Sequence, residues 1–372
     1  MRNLVVLNKN AARRADQCAV AATVDLHGIA VTIGLLETPD TRFDAEAPHR
    51  ASQVLVRVKA ISCSYRDQSV ILAAALGEIG DDATPIGTEF VAEVVAVGRD
   101  VVGLKRGDRV LPVAYFPDEP SEWKKPKFSS IGLPTQAAGR ELCVFNEDQV
   151  LRVPNSMPDD VAASFTTCAQ TAYAMVRKSG VVRGTRVLVT APNSSTSLFV
   201  ISALAGIGAE IYAVTTSNRH EGRLRELGVK DVAVVDPRQS SVGLPKVFPE
   251  PECVLDVYAD LYFLHALGWL ARGGVFVTCG VVDQYQRSLL GTRVSNVSFD
   301  LTDAFATMVA KNVRVIGSCL GVPSDLEAAL RDFENRAFRT VVDSTFSGGQ
   351  IGEYLKRSFT DAERFGKVVY RF

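Results

Sequence analysis

The stretch 187–216, VLVTAPNSSTSLFVISALAGIGAEIYAVTT, sets the fold class. Val187 to Thr190 is a short apolar strand, Leu198 to Gly208 carries apolar residues at helical spacing, and Glu210 to Thr215 is a second strand. Strand, helix and strand in close succession predict a right-handed crossover between parallel strands. The rhythm continues downstream. Glu221 to Gly228 reads as a helix closed by glycine, Val232 to Val235 as a third strand, and Cys253 to Tyr258 and Val275 to Cys279 as further strands. This alternation predicts an α/β, doubly wound sheet, which binds its ligand outside the carboxyl ends of the strands.

Upstream the character changes. Val54 to Val58 alternates apolar and polar positions, and Phe90 to Val97 is rich in valine, so the first third reads as β-rich. From Tyr115 to Pro134, four prolines and Lys124, Lys125 and Lys127 predict a surface loop whose lysines form a solvated face. The chain end is mixed: Val313 to Ser318 reads as a strand, Asp325 to Ala337 as a helix and Gly366 to Tyr370 as a final strand.

At 372 residues the chain exceeds what one core usually fills, so two domains are expected. The formal net charge of -1 argues against a broad nucleic-acid surface. No apolar run is long enough to span a membrane, and the first residues lack the pattern of a secretory signal. The cysteine count is seven, which is odd, and the residues are scattered, without a CxxC pair. Reduced thiols and a cytoplasmic location are expected from this. There are only four histidines, which limits metal sites and His-based catalysis from the start.

Several segments together resemble one family. They are Val54-Leu55-Val56-Arg57-Val58-Lys59-Ala60, Ser64-Tyr65-Arg66-Asp67, Gly87-Thr88-Glu89-Phe90, Gly107-Asp108-Arg109-Val110, Thr171-Ala172-Tyr173, Gly206-Ile207-Gly208-Ala209-Glu210, Leu227-Gly228, Gly273-Gly274 and Phe365-Gly366-Lys367-Val368-Val369. Each is weak alone. Their order and spacing resemble the medium-chain dehydrogenase/reductase superfamily, in its zinc-independent quinone oxidoreductase and enoyl reductase branch. The resemblance implies a GroES-like β-rich catalytic domain, residues 1–155 and 315–372, around a Rossmann NADP(H)-binding domain, residues 156–314. It also implies a homodimer or homotetramer, with Val275 to Leu290 as the place to look for the contact.

Zinc-dependent relatives hold the metal with cysteines and a histidine, soft donors that leave one position open. Here the resemblance aligns those positions with Ser64 and Thr88, leaving Glu89 and Cys168. Hydroxyls are poor zinc ligands, so no metal is expected, and Cys168 reads as a small buried thiol. Ser64 and Thr88 would line the emptied pocket. Tyr65, in the segment that forms the family's active-site loop, reads either as a hydrogen-bond or proton donor or as a packing tyrosine. Arg66 and Asp67 brace that loop, and Arg109 is structural.

The family's first nucleotide-domain strand leads into a glycine-rich turn that lets backbone approach a diphosphate. In this chain the turn is Ala191-Pro192-Asn193-Ser194-Ser195-Thr196-Ser197, without glycine. One reading is that Asn193, Ser194, Ser195, Thr196 and Ser197 still admit and bond the diphosphate. The other is that the site is dead and the turn is only a helix cap. The surviving Gly280 and Phe365-Gly366-Lys367 favour the first. After the second strand come Thr215, Thr216, Ser217, Asn218 and Arg219, with no acid to hold ribose hydroxyls. Thr216, Ser217 and Arg219, with Arg223 beside them, suit the 2′-phosphate of NADP(H). The resemblance places Thr171 near the nicotinamide and Lys367 near the cofactor phosphates.

Without a metal, the expected chemistry is NADPH-dependent reduction of a conjugated C=C bond in a small molecule or peptide: an enone, quinone, enoyl thioester or dehydroamino acid. The Asn193 to Phe199 turn resembles relatives that reduce dehydroamino acids in peptides. Two alternatives stand: an alcohol/carbonyl oxidoreductase of the same family, and a non-catalytic member that no longer binds nucleotide.

Overall fold

The computed structural model describes residues 1–10, 12–239, 242–282, 301–336 and 338–372. The described chain divides into two compact units, Met1–Thr167 with Val342–Phe372, and Cys168–Val341. Both boundaries lie later than the sequence predicts. Residues 156–167 stay with the first unit because Arg109 donates to Asp159 at 2.9 Å, Arg371 pairs with Asp160 at 2.6 Å and Thr167 N donates to Glu89 at 2.8 Å. Residues 315–341 belong to the second unit. Tyr173 donates to Asp332 at 2.5 Å and Arg177 pairs with Asp325 at 2.7 Å.

Strands are numbered along the chain. The first unit contains β1 (Arg2–Leu7), β2 (Cys18–Leu26), β3 (Ile29–Glu37), β4 (Gln53–Ser62), β5 (Ala83–Pro85), β6 (Glu89–Val97), β7 (Arg109–Pro112), β8 (Leu142–Asn146), β9 (Val150–Arg152), β16 (Val342–Ser347) and β17 (Lys367–Arg371). One sheet runs β2-β3-β1-β5, and a larger one runs β16-β17-β4-β6-β7-β9 with β8 also on β4. The core between them is built from Val6, Val31, Ile33, Val56, Phe90 and Phe145, with the last two rings stacked at 5.1 Å. The sequence reading missed β1 to β3. Leu4, Val5, Val6 and Leu7 are all buried, but as a short run they gave no period to read.

The second unit contains β10 (Arg186–Thr190), β11 (Glu210–Thr215), β12 (Val229–Val234), β13 (Cys253–Asp256), β14 (Val275–Thr278) and β15 (Arg314–Gly317). They form one sheet in the order β12-β11-β10-β13-β14-β15, and every pairing is parallel. This is the doubly wound order, and its direction reverses between β10 and β13. β15, expected at the start of the returning domain, is instead the sixth strand of this sheet.

The loop from Tyr115 to Pro134 contains the short helix Pro120–Lys124, and Tyr115 bridges back to Gly132. Lys124, Lys125 and Lys127 are exposed. Of the Val275–Leu290 stretch expected to mediate self-association, residues 283–290 lie outside the described residues. Among the described residues no helix is long and apolar enough to cross a membrane.

Candidate active site

In the first unit, the polar residues of three segments converge. β4 ends at Ser62, and the helix Tyr65–Leu76 begins three residues later with Ser64 as its N-cap. Asp67, at the third position of the helix, reaches back to the cap: Ser64 N donates to Asp67 Oδ2 at 2.6 Å, and Asp67 N donates to the Ser64 backbone carbonyl at 3.0 Å. The Ser64 hydroxyl donates to the same Oδ2 at 2.9 Å, and the Thr88 hydroxyl donates to it at 3.0 Å. Thr88 follows Gly87, whose φ of +96° is glycine territory.

Register brings Ser62 opposite Glu89 on the β4–β6 ladder, and the Ser62 hydroxyl donates to Glu89 Oε1 at 3.1 Å. Glu89 is fully buried. It is paired with Lys367, the first residue of β17 and itself 2% exposed. Lys367 Nζ also donates to Cys63 O at 3.1 Å. The sequence reading of Lys367 as a phosphate ligand is therefore corrected, because its ammonium is buried and committed to Glu89 and a carbonyl. Nothing in the sequence links Glu89 to a lysine 278 residues away.

Thr88 is corrected too. It is 1% exposed and its hydroxyl is committed to Asp67. Ser64 is half-buried, and Tyr65 is 37% exposed in the first helical turn. Asp67 braces this corner as expected. Burial pushes its carboxyl pKa above the ordinary 3.8, outweighing the Ser64 and Thr88 hydrogen bonds and the charge of Lys367. Burial likewise pushes the Cys63 thiol and the Tyr354 hydroxyl well above their usual ranges. Arg109 is structural, donating to Asp159 and to Met157 O at 2.7 Å.

In the second unit, the glycine-free turn joins β10 to the helix Ser195–Ile207. Ala191 sits at φ +42°, so the chain keeps the left-handed conformation without the residue that holds it cheaply. Ser194 is the N-cap and accepts from Ser197 N at 3.3 Å. Ser197 is corrected as a cofactor ligand. It is fully buried, and its hydroxyl donates to Thr190 O at 3.0 Å. Ser195 is 9% exposed, while Asn193, Ser194 and Thr196 are half-buried. Asn193 Oδ1 is buried with no partner among the described residues, as is Ser318 Oγ just beyond β15.

Thr216, Ser217 and Arg219 are exposed after β11. The Ser217 hydroxyl accepts from Arg219 N at 3.2 Å, which folds the segment into a tight turn. Thr171 is 6% exposed on the helix Thr166–Ser179, and the Cys168 thiol lies 3.8 Å from the Thr196 hydroxyl. Gly280 lets backbone pass where a Cβ would meet Val257 O at 3.0 Å, and its carbonyl accepts from Ala259 N at 2.9 Å.

One residue here was missed by sequence reasoning. Asp256 ends β13 at the point where the strand order reverses, and it is fully buried. It accepts from the Thr190 hydroxyl at 2.5 Å, the Thr278 hydroxyl at 3.0 Å and Tyr258 N at 3.0 Å, tying together the ends of β10, β13 and β14. Burial pushes its pKa up to about 7. An acid closing an apolar strand was the available signal. Among the described residues no three His, Cys, Asp or Glu side chains converge as a metal-binding group.

Comparisons with known proteins come from sequence and from structure. Residues 50–155 match the alcohol dehydrogenase GroES-like domain. Acryloyl-coenzyme A reductase of Sulfurisphaera tokodaii is 24% identical over 86% of this chain and 92% of its own length. A crystal structure of an NAD-dependent alcohol dehydrogenase superposes with a TM-score of 0.74 at 21% identity, covering 100% of both chains. The 2-octenoyl-CoA carboxylase reductase CinF, solved with NADP and 2-octenoyl-CoA, superposes with a TM-score of 0.73 at 20% identity, over 100% of this chain and 87% of its own.

Proposed function

Given that the chain belongs to the medium-chain dehydrogenase/reductase superfamily, we propose that it is a zinc-independent, NADPH-dependent reductase of conjugated C=C bonds. The observation that carries this reading is the donor set around Asp67. Where zinc-dependent relatives place soft ligands, this chain has two hydroxyls on a carboxyl, Ser64 and Thr88 on Asp67, beside a Glu89 already neutralised by Lys367. Such a set suits a divalent metal poorly, and with the Thr88 hydroxyl committed to Asp67 it leaves the exposed Tyr65 as the donor for a substrate oxygen. A substrate whose double bond is conjugated to a carbonyl needs only that kind of support.

The second unit suits NADP(H). The Asn193 and Ser318 oxygens, without partners among the described residues, are buried at the carboxyl side of the parallel sheet, where dinucleotides bind this fold. The helix Ser195–Ile207 offers its N-terminus to the diphosphate, with Asn193, Ser194, Ser195 and Thr196 around it. Thr216, Ser217 and Arg219 would hold the 2′-phosphate, with Thr171 and Gly280 completing the site. When bound, the reduced cofactor supplies hydride. Tyr65 would hold the acceptor's carbonyl oxygen as charge develops on it, with Ser64 beside it. The acryloyl-coenzyme A reductase likeness and the CinF complex with NADP and 2-octenoyl-CoA support an enoyl thioester among the acceptors.

A fluorescence titration of the purified chain tests this. NADPH should bind with micromolar affinity and more tightly than NADH. Failure to bind either at millimolar concentration would overturn the reading in favour of a non-catalytic relative. NADPH binding with turnover of carbonyls alone would move it to alcohol/carbonyl chemistry.

A further inference from the structure

Asp67 has more order around it than a helix cap requires. The residue is 1% exposed. Its Oδ2 takes Ser64 N at 2.6 Å, the Ser64 hydroxyl at 2.9 Å and the Thr88 hydroxyl at 3.0 Å. Its Oδ1 is buried and has no partner among the described residues. A carboxylate stripped of water with one bare oxygen is costly, because that oxygen carries half the charge. A neutral carboxylic acid leaves only a carbonyl-type oxygen bare, which costs far less.

The surrounding groups bear on the same choice. The Lys367 ammonium favours a charged Asp67, but it is already spent on Glu89 and on Cys63 O. The Cys63 thiol on the adjoining β4 end and the Tyr354 hydroxyl of the helix Ile351–Phe359 are themselves held protonated by burial. Glu89, beyond Lys367, adds negative charge to the same interior. The net direction for Asp67 is upward. A proton on Oδ2 has a natural acceptor, since the Ser64 hydroxyl at 2.9 Å can receive as well as donate. Ser64 is half-buried, so it links this sealed carboxyl to the outside of the cluster.

We infer that Asp67 stores a proton at neutral pH and delivers it through the Ser64 hydroxyl to the substrate carbon that becomes nucleophilic once hydride has added to its neighbour. The inference rests on the reductase reading above. In balance, hydride carries two electrons from NADPH to one carbon of the double bond, and the π pair moves onto the conjugated oxygen. When the enolate collapses, a C–H bond forms with the Ser64 hydroxyl proton. The Ser64 oxygen takes the Asp67 proton in the same motion. Asp67 is left as a carboxylate braced by the Thr88 hydroxyl, and it is reprotonated from water. The acceptor is reduced and NADPH becomes NADP⁺.

Asp67→Asn tests this, since the amide oxygen can still accept from Ser64 N while the side chain can no longer give up a carboxylic proton. The wild-type infrared spectrum at pH 7 should contain a protonated-carboxyl band that Asp67→Asn lacks. With NADPH and trans-2-hexenoyl-CoA or an enone as acceptor, turnover should fall roughly 100-fold or more. The solvent-deuterium isotope effect should rise, and NADPH affinity should stay unchanged. Should Asp67→Asn fail to fold, Ser64→Ala takes its place, with the same loss of turnover and the band retained. A wild-type spectrum without the band overturns the inference, as does either variant turning over at the wild-type rate. If the wild type binds NADPH and reduces no conjugated acceptor, the reductase reading fails separately, and the band alone then decides whether Asp67 carries the proton.

Discussion

The two units each bury carboxyl groups among hydroxyls, yet the groups are held in different ways. In the first unit, Glu89 is matched by the Lys367 ammonium and two further donors, so its charge is neutralised where it lies. In the second, Asp256 meets only neutral donors among the described residues, two threonine hydroxyls and a backbone N–H. Hydrogen bonds alone do not offset removal from water, and the Asp256 pKa rises to about 7. The same side-chain chemistry is therefore a fixed ion pair in one unit and a titrating strand clamp in the other. What decides between them is whether a cation shares the cavity.

The largest effect should come from breaking the ion pair. Lys367→Met leaves Glu89 buried without its counter-charge and should cost about 3–5 kcal/mol in urea denaturation. The double change Lys367→Met with Glu89→Gln should recover much of that loss, and simple additivity of the two single changes would contradict the pairing.

Asp256 provides the next largest. Its folded pKa of about 7 lies above the ordinary 3.8, so the folded state holds the proton more tightly. The resulting stabilisation is full below about pH 4 and is lost as pH rises through about 7, on the order of 4 kcal/mol in all. Asp256→Asn should flatten that slope. A wild type that grows more stable from pH 5 to 8 while Asp256→Asn stays level would reverse the assigned direction.

A smaller effect is expected at the cofactor end of β11. Arg219→Glu should weaken NADPH binding by roughly 10- to 100-fold, the range of a charge-assisted hydrogen bond, with NADH affected far less. Equal loss for both cofactors would show that Arg219 does not read the 2′-phosphate. Smallest of all is Ala191→Gly. Relief of the left-handed φ should raise the melting midpoint by the equivalent of about 0.5–1 kcal/mol.

The second unit was the more legible of the two in sequence. Its inner strands β10, β13 and β14 are buried along nearly their whole length and read as short apolar runs separated by helical spacing, so β10, β11, β13 and β14 fell within two residues of expectation. β15 was seen as a strand but assigned to the wrong unit, because a strand carries no mark of the sheet it joins. In the first unit, β1 to β3 escaped notice. Ser64, Thr88 and Glu89 could be singled out one by one, but the role of Lys367 could not, since burial and partnership depend on contacts across the whole chain. Ser197 shows the same limit on a smaller scale. Within a run of hydroxyl residues, only the backbone path shows which one turns inward to Thr190 O.

The most direct test of the account is turnover after metal removal. The chain, dialysed against a strong chelator and shown free of zinc, should oxidise NADPH in step with saturation of a conjugated acceptor such as trans-2-hexenoyl-CoA. Added zinc should bring no gain. Loss of all NADPH oxidation on dialysis, with recovery when zinc is returned, would contradict it.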